Sequence, residues 1–140
     1  ARFLLVRHGE TNYNNVGRVQ GTLESRLTQR GREQASELGK YIACAEFDSI
    51  HRVAVSPKTR TQETLAGILA EHPKLIGVST DVRPGLRELE LTQWEGKLRS
   101  DVRAAPAPDP DNPDADGARW DRWKADPATF HFEEDGHAPF

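Results

Sequence analysis

The sequence predicts an α/β fold, a layered parallel-type sheet flanked by helices. Apolar strand-like runs alternate with helix-like periods from residue 3 to residue 78, and the connections between them are short. This alternation is typical of parallel sheets that are covered by helices. The chain has 140 residues, of which 36% are hydrophobic. That length suits one compact domain and is too short for two.

The first two elements are a strand and a helix. The apolar run from Phe3 to Val6 ends at Arg7-His8-Gly9, which is typical of a buried strand that leads into a loop. From Thr28 to Ala45, apolar residues recur at three- and four-residue steps with charged residues between them. This period predicts an amphipathic helix with Thr28 as its N-cap.

The next elements repeat that order. Ile50 to Val55 is rich in β-branched residues and ends at Ser56-Pro57. A serine followed by proline favours the start of a helix, which we expect to continue to Leu69 or Ala70. Leu75 to Val78 then predicts a third strand. The resulting order is strand, helix, strand, helix, strand.

The composition changes in the last third of the chain. Residues 104–118 contain four prolines and four aspartates, which predicts a mobile loop. No strand signal follows this segment up to Phe140. We therefore expect residues 1–140 to form a single, incomplete domain whose C-terminal strands are missing. Such a domain would expose apolar area and associate with itself or with a missing C-terminal segment.

Charge and cysteine content limit the classes of partner and location. The net charge is -3, so no global basic field would draw the chain to nucleic acid or to an anionic membrane. The single cysteine, Cys44, cannot form an internal disulfide, and no apolar run is long enough to cross a bilayer. These features favour a cytoplasmic protein. An organelle stays open because the chain starts at Ala1 without Met.

Polar residues at the ends of the first two predicted strands suggest an anion site. His8 follows the first strand beside Arg7, and Arg60 lies one turn into the helix after Ser56-Pro57. The carboxyl ends of parallel strands meet at the edge where α/β proteins bind ligands. Neutral imidazole is a nucleophile, guanidinium groups pair with phosphate oxygens, and a helix N-terminus offers free N–H groups. A structural histidine and an ordinary capped helix are the alternatives.

Two glutamates after the third predicted strand are candidates for an acid. Glu88 and Glu90 lie among leucines, and burial of one of them would raise its pKa so that it could protonate a leaving alkoxide. A solvated acidic turn or a salt bridge to Arg87 is the alternative. The residue pattern alone does not choose between Glu88 and Glu90.

Four ordered blocks of the sequence resemble a known family, the histidine phosphatase superfamily in its cofactor-dependent phosphoglycerate mutase and fructose-2,6-bisphosphatase branch. The resemblance runs from residue 2 to about residue 97. The blocks are Leu5 to Thr11 with Asn14, Gly17, Arg18, Gln20 and Gly21; Arg26-Leu27-Thr28 with Gly31, Gln34 and Ala35; Ser56-Pro57 with Arg60, Gln62 and Thr64; and Leu86-Arg87-Glu88 with Trp94-Glu95-Gly96.

The resemblance implies a covalent mechanism with a phosphohistidine intermediate. His8 matches the family's nucleophile, and Glu88, rather than Glu90, matches its general acid. The phosphate-binding positions of the family fall on Arg7, Asn14 and Arg60. Further candidates for substrate binding are Gln20, Gly21 and Thr22, and candidates for the lining of a substrate pocket are Leu98, Val102, Trp120 and Trp123.

The implied function is a phosphatase that acts on a small phosphorylated metabolite. No metal or cofactor is implied, since arginines supply the charge stabilisation. Residues 97–114 do not resemble the segment that closes over the substrate in the mutases, so phosphatase is favoured and mutase-type phosphoryl transfer is the alternative. The family's second pocket histidine has no match, because His137 has no strand before it. A non-catalytic phospholigand-binding protein therefore stays open.

Overall fold

The computed structural model describes residues 2–45, 50–104 and 116–127. The chain divides into two compact units, one made of residues 1–15 and 24–87 and the other of residues 16–23 and 88–140. His137 and most of the predicted loop at about 104–118 lie outside the described residues. The two ends of that loop are helical, which differs from the prediction. The prediction of a single domain stays a prediction.

The first unit contains the α/β part of the chain. Its elements are α1 (Asn12–Asn15), α2 (Gln29–Cys44), β1 (Val53–Val55), α3 (Thr59–Glu71) and β2 (Thr80–Val82), with short 3-10 helices at Pro73–Leu75 and Pro84–Leu86. β1 and β2 pair in parallel, with Val53 opposite Thr80 and Val55 opposite Val82. Since α3 connects two parallel strands, this unit confirms the predicted α/β class.

The helix predicted from Thr28 is confirmed as α2. The Thr28 backbone is extended, and its Oγ1 accepts a hydrogen bond of 3.0 Å from the Gly31 N–H, which is the normal N-cap arrangement. The core of this unit is a cluster of Ile42 from α2, Ile68 from α3 and Leu75 from the 3-10 helix that follows α3. Within the described part of the chain, no helix has the length and hydropathy that a membrane crossing requires.

The predicted first strand is absent from the described residues. The segment from Phe3 to Val6 forms no strand, and the side chains of Phe3 and Leu5 are 84% and 92% exposed. A strand exists only through ladder hydrogen bonds to a neighbour, and the described sheet contains β1 and β2 alone. The apolar run is therefore present, but in this structure it lacks the partner strand that would bury it.

The third predicted strand lies further along the chain than expected. It is β2, at Thr80–Val82, rather than Leu75–Val78. Pro73 begins a 3-10 helix that ends at the buried Leu75, because proline fits the first position of a helical turn. Leu75 thus belongs to the core as a helical residue.

The second unit has an aromatic core. It contains a 3-10 helix at Thr92–Trp94, α4 (Arg99–Ala104) and α5 (Asp116–Ala125). Trp94 is fully buried, and its ring centroid lies 5.2 Å from that of Trp120 and 5.9 Å from that of Trp123. Val102 is buried in the same cluster. The prediction that Val102 and Trp120 line a substrate pocket is therefore wrong, because these side chains pack against each other in the core.

Candidate active site

His8 is held in one tautomer by its neighbour. Its Nδ1 lies 2.8 Å from the carbonyl oxygen of Gly9. A carbonyl oxygen only accepts hydrogen bonds, so Nδ1 carries the hydrogen, and in the neutral ring the lone pair lies on Nε2. Nε2 is therefore the ring atom that can attack an electrophile.

The backbone at Gly9 is fixed between the two long helices. Its N–H donates to Thr64 Oγ1 at 3.0 Å, and the Thr64 hydroxyl donates to the carbonyl of Arg60 at 2.7 Å. On the other side, a Cβ at Gly9 would collide with the carbonyl of Gly31 in α2. Only glycine allows this close approach of two backbones. The carbonyl that orients His8 is thus part of a rigid segment.

A cleft of about 240 Å³ lies beside His8. It is smaller than the pockets of about 300–1,000 Å³ that hold drug-sized ligands, and it is large enough to admit a phosphate group. The structure brings the predicted residues Arg7 and His8 together at this cleft. The residues that line it are Arg7, His8, Gly9, Gln34, Ala35, Leu38 and Thr64.

The other two predicted phosphate ligands do not line this cleft. Arg60 lies in the first turn of α3 and is only 2% exposed, whereas we expected an arginine fork at the helix start. The Oδ1 of Asn14 accepts hydrogen bonds of 3.1 and 3.0 Å from the N–H and the hydroxyl of Thr11. Its amide nitrogen is therefore the group that can donate to a phosphate oxygen. The roles of Arg60 and Asn14 stay predictions.

The N-terminus of α3 already binds a carboxylate. The N-cap is Lys58 rather than Ser56, and the Thr59 N–H donates to Glu24 Oε2 at 2.9 Å. Lys58 Nζ lies 3.1 Å from the other carboxylate oxygen of Glu24. Partial burial raises the pKa of Glu24, but the hydrogen bonds from Thr59 and Lys58 and the Lys58 charge outweigh it and lower the pKa to about 2. The expectation that this helix end supplies free N–H groups is wrong at Thr59, whose N–H is bound to Glu24.

Glu88 is exposed, as is Glu90, so the partial burial expected from the leucine-rich context is not found. Glu88 Oε1 accepts a hydrogen bond of 3.1 Å from the Leu89 N–H. His8 belongs to the first unit and Glu88 to the second. The assignment of Glu88 as general acid therefore rests on the resemblance and stays a prediction.

Glu95 has a role that sequence reasoning missed. Its Oε1 accepts hydrogen bonds of 2.6 Å from the Thr22 N–H and 3.1 Å from the Leu91 N–H, and its Oε2 accepts one of 2.8 Å from the Thr22 hydroxyl. Two donors of Thr22 are thus bound to Glu95, within the loop predicted to bind substrate. The sequence signal that could have indicated this role is the carboxylate of Glu95 in the block Trp94-Glu95-Gly96. No role was assigned to Glu95 from the sequence.

Comparison with known proteins identifies the family. The model of the histidine phosphatase superfamily (branch 1) matches residues 3–134. The glucosyl-3-phosphoglycerate phosphatase of Mycobacterium tuberculosis is 34% identical over 127 residues, which cover 89% of this chain and 48% of that protein. The probable 2-carboxy-D-arabinitol-1-phosphatase of Arabidopsis thaliana is 30% identical over 139 residues, which cover 99% of this chain and 25% of that protein.

A solved structure agrees with the sequence matches. YhfR of Bacillus stearothermophilus superposes with a TM-score of 0.71 at 28% identity, covering 91% of this chain and 55% of that one. The chain spans between a quarter and about half of the length of the two curated relatives. Because the family model and this fold both extend over most of its residues, the chain belongs to the histidine phosphatase superfamily, branch 1.

Proposed function

We propose that the chain belongs to a phosphomonoester phosphatase that forms a phosphohistidine at His8. The observation that carries the proposal is the bond from His8 Nδ1 to the Gly9 carbonyl, because it leaves the lone pair on Nε2 for attack on phosphorus. Arg7 beside the same cleft supplies positive charge where a phosphoryl group would lie.

The reaction has two steps. In the first, Nε2 of His8 bonds to phosphorus, the bond from phosphorus to the ester oxygen breaks, and Glu88 gives a proton to the leaving alkoxide. In the second, Glu88 takes a proton from water as the water oxygen bonds to phosphorus, the bond from phosphorus to Nε2 breaks, and inorganic phosphate leaves neutral His8. Arg7, Arg60 and Asn14 stabilise the charge on the phosphoryl oxygens in both steps.

The substrate is a small, polar phosphate ester. The names of the two curated relatives specify sugar-like phosphates that carry hydroxyl and carboxyl groups. The cleft beside His8 is large enough to take the phosphate, and we expect a larger ester to contact residues outside the cleft as well. Gln20, Gly21 and Thr22 are the candidates for those contacts. Because the N–H and the hydroxyl of Thr22 donate to Glu95, Thr22 would contact the ester through its oxygen atoms as acceptors.

We also propose an association that covers the exposed segment from Phe3 to Val6. The high exposure of Phe3 and Leu5 supports binding to a second copy or to a C-terminal segment, since apolar strand-like runs tend to pair. The cytoplasmic location stays a prediction.

The experiment that tests the function is covalent labelling. The chain is mixed with a radioactively phosphorylated ester and quenched in alkaline denaturant, because phosphohistidine hydrolyses in acid. We expect label on the wild type and on His51→Ala, an exposed control histidine, and none on His8→Ala. Binding of the ester without any label would instead indicate a non-catalytic phospholigand-binding protein.

A further inference from the structure

We propose that Thr64 is a positioning residue for phosphoryl transfer, which orients the His8 ring through Gly9 and fixes it relative to Arg60. The inference rests on the proposed role of His8 as nucleophile. Thr64 lies in α3, is buried and lines the cleft beside His8.

A hydrogen bond orients the His8 ring. His8 Nδ1 donates to the carbonyl of the next residue, Gly9. Glycine populates more backbone conformations than any other residue, so the Gly9 carbonyl keeps its direction only if the peptide groups on both sides of Gly9 are held. The group that contains this carbonyl is held through the Glu10 N–H, which donates to Gln34 Oε1 at 2.8 Å. The orientation of His8 therefore depends on what holds Gly9.

Thr64 supplies the restraint on the other side of Gly9, at the peptide group that joins it to His8. A threonine hydroxyl has one hydrogen to donate, and here the Arg60 carbonyl receives it at 2.7 Å. The Thr64 oxygen is therefore left to accept the Gly9 N–H at 3.0 Å, a contact that is buried. Bonds that run in one direction through such a chain polarise and strengthen one another. With the N–H of Gly9 bound to Thr64 and its carbonyl bound to His8, the residue is restrained at both ends.

The same hydroxyl connects the nucleophile to a predicted phosphate ligand. Arg60 lies one turn before Thr64 in α3 and is nearly fully buried. Because Thr64 bonds to the carbonyl of Arg60 itself, Gly9 is attached to the helical turn that carries the arginine. A displacement of about 1 Å between reacting groups can cost about 100-fold in rate. Loss of the hydroxyl should therefore slow the chemical step more than it weakens binding.

The experiment compares Thr64→Val, which keeps the shape and removes the hydroxyl, with Thr64→Ser, which keeps the hydroxyl. Thr61→Val is the matched control, since the Thr61 hydroxyl of the same helix bonds to the carbonyls of Ser56 and Lys58 instead. The readouts are the single-turnover rate of phosphohistidine formation, the Kd for inorganic phosphate, and the His8 tautomer from nitrogen NMR.

For Thr64→Val we expect a labelling rate about 100-fold lower, a Kd for phosphate within about twofold of wild type, and loss of the single Nδ1–H tautomer at His8. Thr64→Ser and Thr61→Val should stay within about threefold of wild type in rate. If Thr64→Val does not fold, Thr64→Ala carries the same expectations, because it also lacks the hydroxyl.

Two results would overturn the inference. One is an unchanged rate and tautomer in Thr64→Val, and the other is a loss of phosphate affinity as large as the loss of rate, which indicates a general structural role. If the wild type takes no label, the proposed function fails, and the tautomer alone then decides on Thr64. Loss of the Nδ1–H tautomer of His8 in Thr64→Val, with the same tautomer kept in Thr64→Ser, would still support the positioning role of Thr64.

Discussion

Removal of the Glu95 carboxylate should destabilise the second unit. Glu95→Ala deletes the acceptor of three hydrogen bonds, two from Thr22 and one from Leu91. A hydrogen bond to a charged group contributes about 1.5–3 kcal/mol, but these three share one carboxylate, and water can reach donors that are only partly buried. We therefore expect the free energy of unfolding to fall by about 3 kcal/mol.

The assay is urea unfolding followed by tryptophan fluorescence, since the buried Trp94 precedes Glu95 directly. Glu95→Gln keeps an oxygen for the two N–H donors and should lose about 1 kcal/mol, because the bonds become neutral. Asp121→Ala removes an exposed carboxylate from α5 of the same unit and should change the free energy by less than about 0.5 kcal/mol. Amide exchange at Thr22 should rise in Glu95→Ala alone.

Unfolding of Glu95→Ala at the same urea concentration as Asp121→Ala would refute a stabilising role of the Glu95 carboxylate. Equal instability of Glu95→Gln and Glu95→Ala would refute the role of the hydrogen bonds, because then the negative charge, and not the set of accepted bonds, would stabilise the loop.

The folded pKa of Glu24, about 2, lies below its usual value of 4.5, so its contribution to stability is complete above about pH 4.5 and is lost as the pH falls towards 2. Because its side chain is 56% exposed, Glu24→Gln should cost only about 1 kcal/mol at pH 7 and flatten the acid limb of stability against pH; an unchanged acid limb would contradict this. In a quenched-flow assay, Glu88→Gln should slow phosphorylation of His8 by alkyl esters about 100-fold or more and by activated aryl esters far less, and equal losses would exclude Glu88 as the acid. Leu5→Lys should abolish association of the chain in sedimentation, since Leu5 is 92% exposed, whereas an unchanged sedimentation coefficient would count against residues 3–6 as the contact.

Local signals in the sequence predicted the elements that depend on neighbouring residues. The period from Thr28 onwards and its cap describe α2 correctly, because a helix closes its hydrogen bonds within four residues. The pair of Arg7 and His8 was also recognised from neighbouring residues, because it directly follows the apolar run from Phe3 to Val6. The cleft beside His8 is consistent with that prediction.

Features that depend on distant residues could not be predicted. Glu95 and Thr22 are 73 residues apart, and Glu24 and Thr59 are 35 apart. The residues that flank Glu95 and Glu24 in the sequence do not indicate that these carboxylates bind Thr22 and Thr59. A carboxylate at a helix N-terminus is favourable wherever the fold brings it there, but the pairing itself is set by tertiary structure.

The predicted strands show the same limit. The apolar run from Phe3 to Val6 has a strand pattern, yet a strand also needs a neighbour, and the described sheet provides none for it. The β-branched run at Ile50 to Val55 was recognised and contains β1. In the third case, Pro73 redirected the chain into a 3-10 helix, so that the strand began at Thr80.

The most direct test of the central claim is to find which nitrogen of the protein carries the phosphoryl group. The labelled chain, enriched in nitrogen isotope and kept at alkaline pH, is examined for phosphorus–nitrogen NMR coupling. Because Nδ1 of His8 is bound to the Gly9 carbonyl, we expect phosphorus on Nε2 of His8 and on no other atom. Phosphorus on Nδ1, on another residue, or on none would contradict the proposed mechanism.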